Sequence, residues 1–110
     1  MSEVEKYLKS TGNGLFVLDA NKQPIPASII EWGKMMQSQD RHVGTDMIGD
    51  VRISTVFLGM DHGFGREPVL FETMIFGGKH DGYQDRCCTW GQAEVMHEKA
   101  LNIVKGASDE

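Results

Sequence analysis

Two adjacent Asp–His pairs, Asp61-His62 and His80-Asp81, are the residues of this chain whose types best suit metal binding or proton transfer. Both lie in glycine-rich segments. The first reads Gly59-Met60-Asp61-His62-Gly63-Phe64-Gly65-Arg66-Glu67-Pro68 and the second Gly77-Gly78-Lys79-His80-Asp81-Gly82. Their spacing argues against one shared metal site. Residues 69–76 between them alternate as a strand, and at ~3.3 Å per residue that strand holds the loops roughly 26 Å apart. Zinc ligands lie within about 2.3 Å of the ion, and neither pair alone supplies three or four donors. No metal and no cofactor is expected, and His62 and His80 read as turn and surface residues.

The same spacing brings other groups together. In an antiparallel meander the last strand, over residues 83–88, runs back toward the first loop. The helix that begins at Thr89-Trp90-Gly91 should therefore start beside residues 61–66. A helix start offers unpaired N–H groups and a partial positive charge. Glycine-rich backbone can approach an anion closely, and Arg66 adds a bidentate donor for phosphate or carboxylate. The expected ligand-binding residues are thus Gly63, Phe64, Gly65, Arg66, Thr89 and Trp90, with His62 at the loop's start. Phe64 or Trp90 would stack on a base. The Gly63-Phe64-Gly65 turn is neither a P-loop nor a dinucleotide fingerprint, since both the spacing and the lysine are missing.

The remaining polar residues read as structural. Glu72 sits mid-strand among apolar neighbours, where a lone carboxylate is costly, so Arg52 or Arg86 should neutralise it across the sheet. His97 falls on the inner stripe of the last helix as a hydrogen-bonded core histidine. Ser54 and Thr55 have no base at a recognisable spacing, so no nucleophile triad and no catalytic residue is assigned. Cys87 and Cys88 are neighbours that point to opposite faces of a strand, and both read as reduced, packed thiols. Met35, Met36, Met74 and Met96 read as core fillers.

The elements that would hold these residues in place can be read from period and caps. Ser2 and Glu5 open a short helix over residues 2–9. Residues 14–21 form a short strand, residues 21–24 turn, and Ile25-Pro26 continues extended. Ser28 and Glu31 have capping-box spacing and start a helix whose stripe is Ile29, Trp32, Met36 and Met35, with Gly33 inside it at a cost of about 1 kcal/mol. Residues 42–46 form a strand, with a turn about Gly49. Residues 51–60 form a long strand, with Val51, Ile53, Thr55 and Phe57 on one face. Thr89 and Gln92 cap the last helix, whose stripe is Trp90, Ala93, Met96, His97, Ala100, Ile103 and Val104, with Gly106 as its stop. The expected fold is α+β. A small antiparallel meander is covered on one face by the C-terminal helix, with an N-terminal strand and helix, in one domain spanning 1–110 whose ends fray.

The chain has 110 residues, 40% hydrophobic and 25% charged, which suits one ordinary globular domain rather than disorder. Its formal net charge of -5 disfavours a general grip on duplex nucleic acid while leaving room for a small anion. No apolar run approaches the ~18 residues of a membrane span, and Met1-Ser2-Glu3-Val4-Glu5-Lys6 lacks the apolar stretch of a signal peptide. A cytoplasmic protein is expected. A meander also leaves a strand edge and one sheet face to be covered, so a homo-oligomer is expected.

The segment Ile53-Ser54-Thr55-Val56-Phe57-Leu58-Gly59-Met60-Asp61-His62, then Pro68-Val69-Leu70-Phe71-Glu72-Thr73-Met74-Ile75-Phe76, then Thr89-Trp90 with Ala93 and His97, resembles a group of short, uncharacterised proteins encoded by bacteriophages and prophages. The likeness spans residues 42–105 and carries no reaction or ligand with it. It implies a bacterial host cell as the setting. It also implies a role by binding, since small phage proteins often block a host protein or sequester a nucleotide signal of host defence. The expectation is therefore a non-catalytic binding protein holding a small phosphorylated nucleotide. The alternatives are a protein–protein inhibitor of a host factor, or a metal-dependent hydrolase joining Asp61-His62 of one copy to His80-Asp81 of another.

Overall fold

The computed structural model of the chain describes residues 14–63, 65 and 67–107. The helix expected over residues 2–9 and the tail at 108–110 lie outside the described residues, as do Phe64 and Arg66. The elements are β1 (Phe16–Leu18), β2 (Pro24–Pro26), α1 (Ile29–Met36), a 3-10 turn (Gln39–Arg41), β3 (His42–Ile48), β4 (Val51–Phe57), β5 (Phe71–Phe76), β6 (Gln84–Cys87) and α2 (Trp90–Ala107). The four strands β3-β4-β5-β6 form an antiparallel meander in chain order, and β1 and β2 form a separate antiparallel hairpin. This is the α+β architecture expected from the alternation, with α2 packed on one face of the sheet.

Period-two patterning decides that face. In register, Ile53 faces Ile75, Thr55 faces Thr73 and Phe57 faces Phe71, and all six side chains are fully buried. Against these rungs α2 lays Ala93, Met96, His97, Ala100, Leu101 and Val104, the buried arc of its 3.6-residue period. The core divides into two apolar clusters. Phe16, Phe57, Leu70, Phe71, Ala93 and Met96 fill one end, and Ile53, Ile75, Ala100, Leu101 and Val104 fill the other. Each fully buried Phe or Ile contributes about 1.5–3 kcal/mol by leaving water.

Between the clusters lies a polar layer. Thr55 Oγ1 is 2.5 Å from Thr73 Oγ1 and 2.7 Å from His97 Nδ1, and His97 Nε2 is 2.7 Å from Asp46 Oδ2 on β3. With a neutral ring the donors run one way: Thr73 to Thr55, Thr55 to Nδ1, and Nε2–H to the Asp46 carboxylate. His97 is thus the hydrogen-bonded core histidine that its stripe implied. Gly44 makes room for it, since a Cβ there would lie 3.0 Å from His97 Nε2.

The opposite face is tiled by cross-strand pairs. Glu72 opposes Arg86 in register and accepts from its Nε at 3.0 Å and from the Gln84 side chain. Of the two arginines expected to neutralise Glu72, Arg86 does so. Arg52 instead stacks over Phe76, its partner in register, 4.3 Å from the ring centroid.

Several boundaries differ from the sequence reading. The long strand expected over 51–60 ends at Phe57, because Gly59 takes φ +71° and turns the chain. β5 starts at Phe71 rather than Val69, and β6 spans Gln84–Cys87. The Ser28–Glu31 capping box of α1 is present in full, yet Ile29 is exposed, and the inner arc of α1 consists of Trp32, Met35 and Met36. The Thr89–Gln92 box caps α2, but the helix continues through Gly106 to Ala107. Glycine permits a left-handed stop without enforcing one, and no proline follows. Leu101 is buried beside the expected stripe while Ile103 is half-buried. Among the described residues no helix is long and apolar enough to cross a membrane.

Candidate ligand-binding site

At the end of the sheet where β4 stops and α2 begins, the chain folds three segments around one cleft of about 220 Å³. Its lining comes from the hairpin (Phe16, Pro24, Pro26), from the loop between β4 and β5 (Glu67, Pro68, Leu70) and from the residue after β6 (Cys88). The hairpin is held there by backbone bonds: the Phe16 amide donates to the Gly59 carbonyl and the Asp61 amide to the Gly14 carbonyl. Trp32 anchors α1 to the same place by donating its Nε1–H to the Leu58 carbonyl at 3.3 Å. That approach requires Gly59, where a Cβ would lie 2.6 Å from Trp32 Nε1 and 2.9 Å from the Phe16 carbonyl oxygen.

Asp61 organises the loop. Its Oδ1 accepts from the amides of Gly63 at 2.8 Å and Val69 at 2.9 Å, and the His62 amide donates to the Val69 carbonyl. A Cβ at Gly63 would stand 2.6 Å from the Val69 side chain, so the tight closure needs glycine. Asp81 does the same work at the other end of β5, accepting from the Gly77 amide at 2.6 Å. Among the described residues no three His, Cys, Asp or Glu side chains gather as a metal site.

Of the residues expected at the anion cradle, the structure describes His62, Gly63, Gly65, Thr89 and Trp90, while Phe64 and Arg66 lie outside the described residues. The start of α2 does reach the loop. Cys88, just before α2, and Glu67 line the same cleft, and burial, then Glu67 and Asp61, raise the pKa of the Cys88 thiol. Thr89 Oγ1 accepts from the Gln92 amide at 3.1 Å, and Gln92 Oε1 accepts from the Cys88 and Thr89 amides, so the cap itself takes part of this N–H array. Trp90 is half-buried, edge-on to Phe71 with centroids 6.2 Å apart.

Sequence reasoning missed Lys22. Its Nζ lies 4.8 Å from the centroid of the Trp90 ring, which places a cation beside the helix start. Lys22 has φ +64° in a turn held by Asp19, whose Oδ1 accepts from Asn21 and Gln23. The positive φ of a turn residue two positions before Pro24 has no signal in lysine itself, and the partner lies far along the chain. Also unforeseen was the alignment of Thr55, His97 and Asp46. It has the order of a nucleophile, base and orienter, but Thr55 is wholly buried and its hydroxyl is shared with Thr73, so no substrate meets it.

Cys87 and Cys88 are free thiols. Burial foremost, with Cys88 and Asp85 adding, pushes the Cys87 thiol up to about 11. A thiol held protonated is a poor nucleophile and metal ligand. No protein-family model, curated protein or solved structure matches the chain.

Proposed function

We propose that the chain is a non-catalytic binding protein of phage type that holds a small phosphorylated nucleotide at this cleft. The observation that carries the reading is the cleft itself. It has walls of Phe16, Pro24, Pro26, Pro68 and Leu70, a single charged side chain among the described lining, and the N-terminus of an 18-residue helix beside it. Its 220 Å³ is below the ~300–1,000 Å³ of pockets that enclose a drug-sized ligand. It suits a planar base, whose phosphate would lie outside, over Gly63, Gly65 and the start of α2, with Lys22 alongside and Arg66 as the bidentate donor.

The test is calorimetric titration of nucleoside monophosphates into wild type and Arg66→Ala. The variant should keep its circular dichroism spectrum and lose binding. Full retention of affinity would remove Arg66 and its phosphate subsite.

A second reading, a protein–protein inhibitor, is favoured by α1. Ile29 and Ile30 are adjacent and 68% and 69% exposed, and Gly33 of the same helix has open space around it. Exposed neighbouring isoleucines suit a contact with another protein or a second copy of the chain. Light scattering of wild type and Ile30→Asp tests the second copy. A homo-oligomer that Ile30→Asp dissociates would support it, and a monomeric wild type would exclude it.

A further inference from the structure

We propose that Glu67 makes the cleft select guanine, an inference that rests on the nucleotide reading above. The side chains of Phe16, Pro24, Pro26, Pro68 and Leu70 offer a base only carbon, and the Cys88 thiol is only a weak donor and acceptor. The Glu67 carboxylate is therefore the polar side chain of the described lining that can read a base edge. An ionised carboxylate accepts hydrogen bonds at about four lone-pair sites and donates none.

The four bases meet such a group differently. Guanine presents two adjacent donors, N1–H and the N2 amino group, which match the two oxygens of a carboxylate. Adenine and cytosine place a ring-nitrogen lone pair beside their amino group, and uracil flanks its single N–H with two carbonyl oxygens. Each of those edges sets a lone pair against the carboxylate charge. Two parallel charge-assisted bonds fix orientation as well as affinity, and a site built to pair with donors rejects analogues that lack them. The apolar walls strengthen the discrimination, because a mismatched edge loses water there without replacement.

The experiment is calorimetric titration of the full chain with GMP, IMP and AMP at one salt concentration, in wild type and Glu67→Gln. GMP should bind at least about tenfold more tightly than AMP, which corresponds to about 1.4 kcal/mol. IMP, which lacks the N2 amino group, should fall between them. Glu67→Gln should lose the preference for GMP with an unchanged circular dichroism spectrum. Equal affinities, or a GMP preference that survives Glu67→Gln, overturn the guanine assignment while leaving the nucleotide reading in place. Binding of none of the three overturns both.

Discussion

Thr55→Val removes the central hydroxyl of the polar layer while keeping the side chain's shape. In the wild type that hydroxyl serves Thr73 Oγ1 at 2.5 Å and His97 Nδ1 at 2.7 Å. Valine fills the same space, so no cavity forms, and the loss is the stranding of two buried polar groups. Each costs about 1–3 kcal/mol, so Thr55→Val should destabilise by about 2–6 kcal/mol, a large fraction of the ~5–15 kcal/mol typical of a domain. With a neutral His97 ring, Thr73→Val strands nothing comparable, because Thr55 still donates to Nδ1, and it should cost about 1 kcal/mol. In the double variant only His97 Nδ1 is left without its partner, so the two costs should sum to more than the measured loss. Urea unfolding followed by far-UV circular dichroism measures all three. With an m-value of about 1–3 kcal/mol/M, the midpoint of Thr55→Val should fall by about 1 M or more. A midpoint within about 0.3 M of wild type, or Thr73→Val costing as much as Thr55→Val, would refute the reasoning.

Gly59→Ala should be among the most damaging small changes. It forces a left-handed Cβ, worth about 1–2 kcal/mol, and expels the Trp32 indole from the Leu58 carbonyl. A loss of about 2–4 kcal/mol in thermal unfolding, with altered tryptophan emission, is expected. The Cys87 thiol, pushed up to about 11, stays protonated at pH 8. In a Cys88→Ser variant its alkylation by iodoacetamide should be about a hundredfold slower than for an unperturbed thiol. Because the shift is upward, the rate should keep rising toward pH 11, and a plateau near pH 9 would contradict it. Arg86→Met removes the 3.0 Å ion pair to Glu72, but the arginine side chain is 39% exposed and Gln84 still donates. Urea titration should register about 1 kcal/mol or less.

Much of the fold was legible because β4, β5 and α2 carry clean periods. Alternation put Ile53, Thr55 and Phe57 on one face, and the Thr89–Gln92 box fixed where α2 begins. The β1–β2 hairpin was not legible. Its strands have three residues each, one carries two prolines, and their position depends on bonds to Gly14, Gly59 and Asp61. Ile29 misled because one apolar residue does not say which arc of an eight-residue helix faces inward. For the site, meander topology alone placed the loop after β4 beside the start of α2, since both must meet at one sheet end. The Phe16, Pro24 and Pro26 walls and the Lys22 cation came from the unforeseen hairpin. Asp46 meets His97 because Ile48 pairs with Val51 across a two-residue turn, which sets Asp46 opposite Ile53 on the face that α2 covers; a strand read as ending at Asp46 does not show that register.

The most direct test of the central claim is native mass spectrometry of the full chain purified gently from bacterial cells. The account predicts added mass of nucleotide size that is lost in Arg66→Ala. A clean mass with neither ligand nor metal, unchanged by millimolar GMP or AMP, would contradict it and shift the weight to the isoleucine surface of α1.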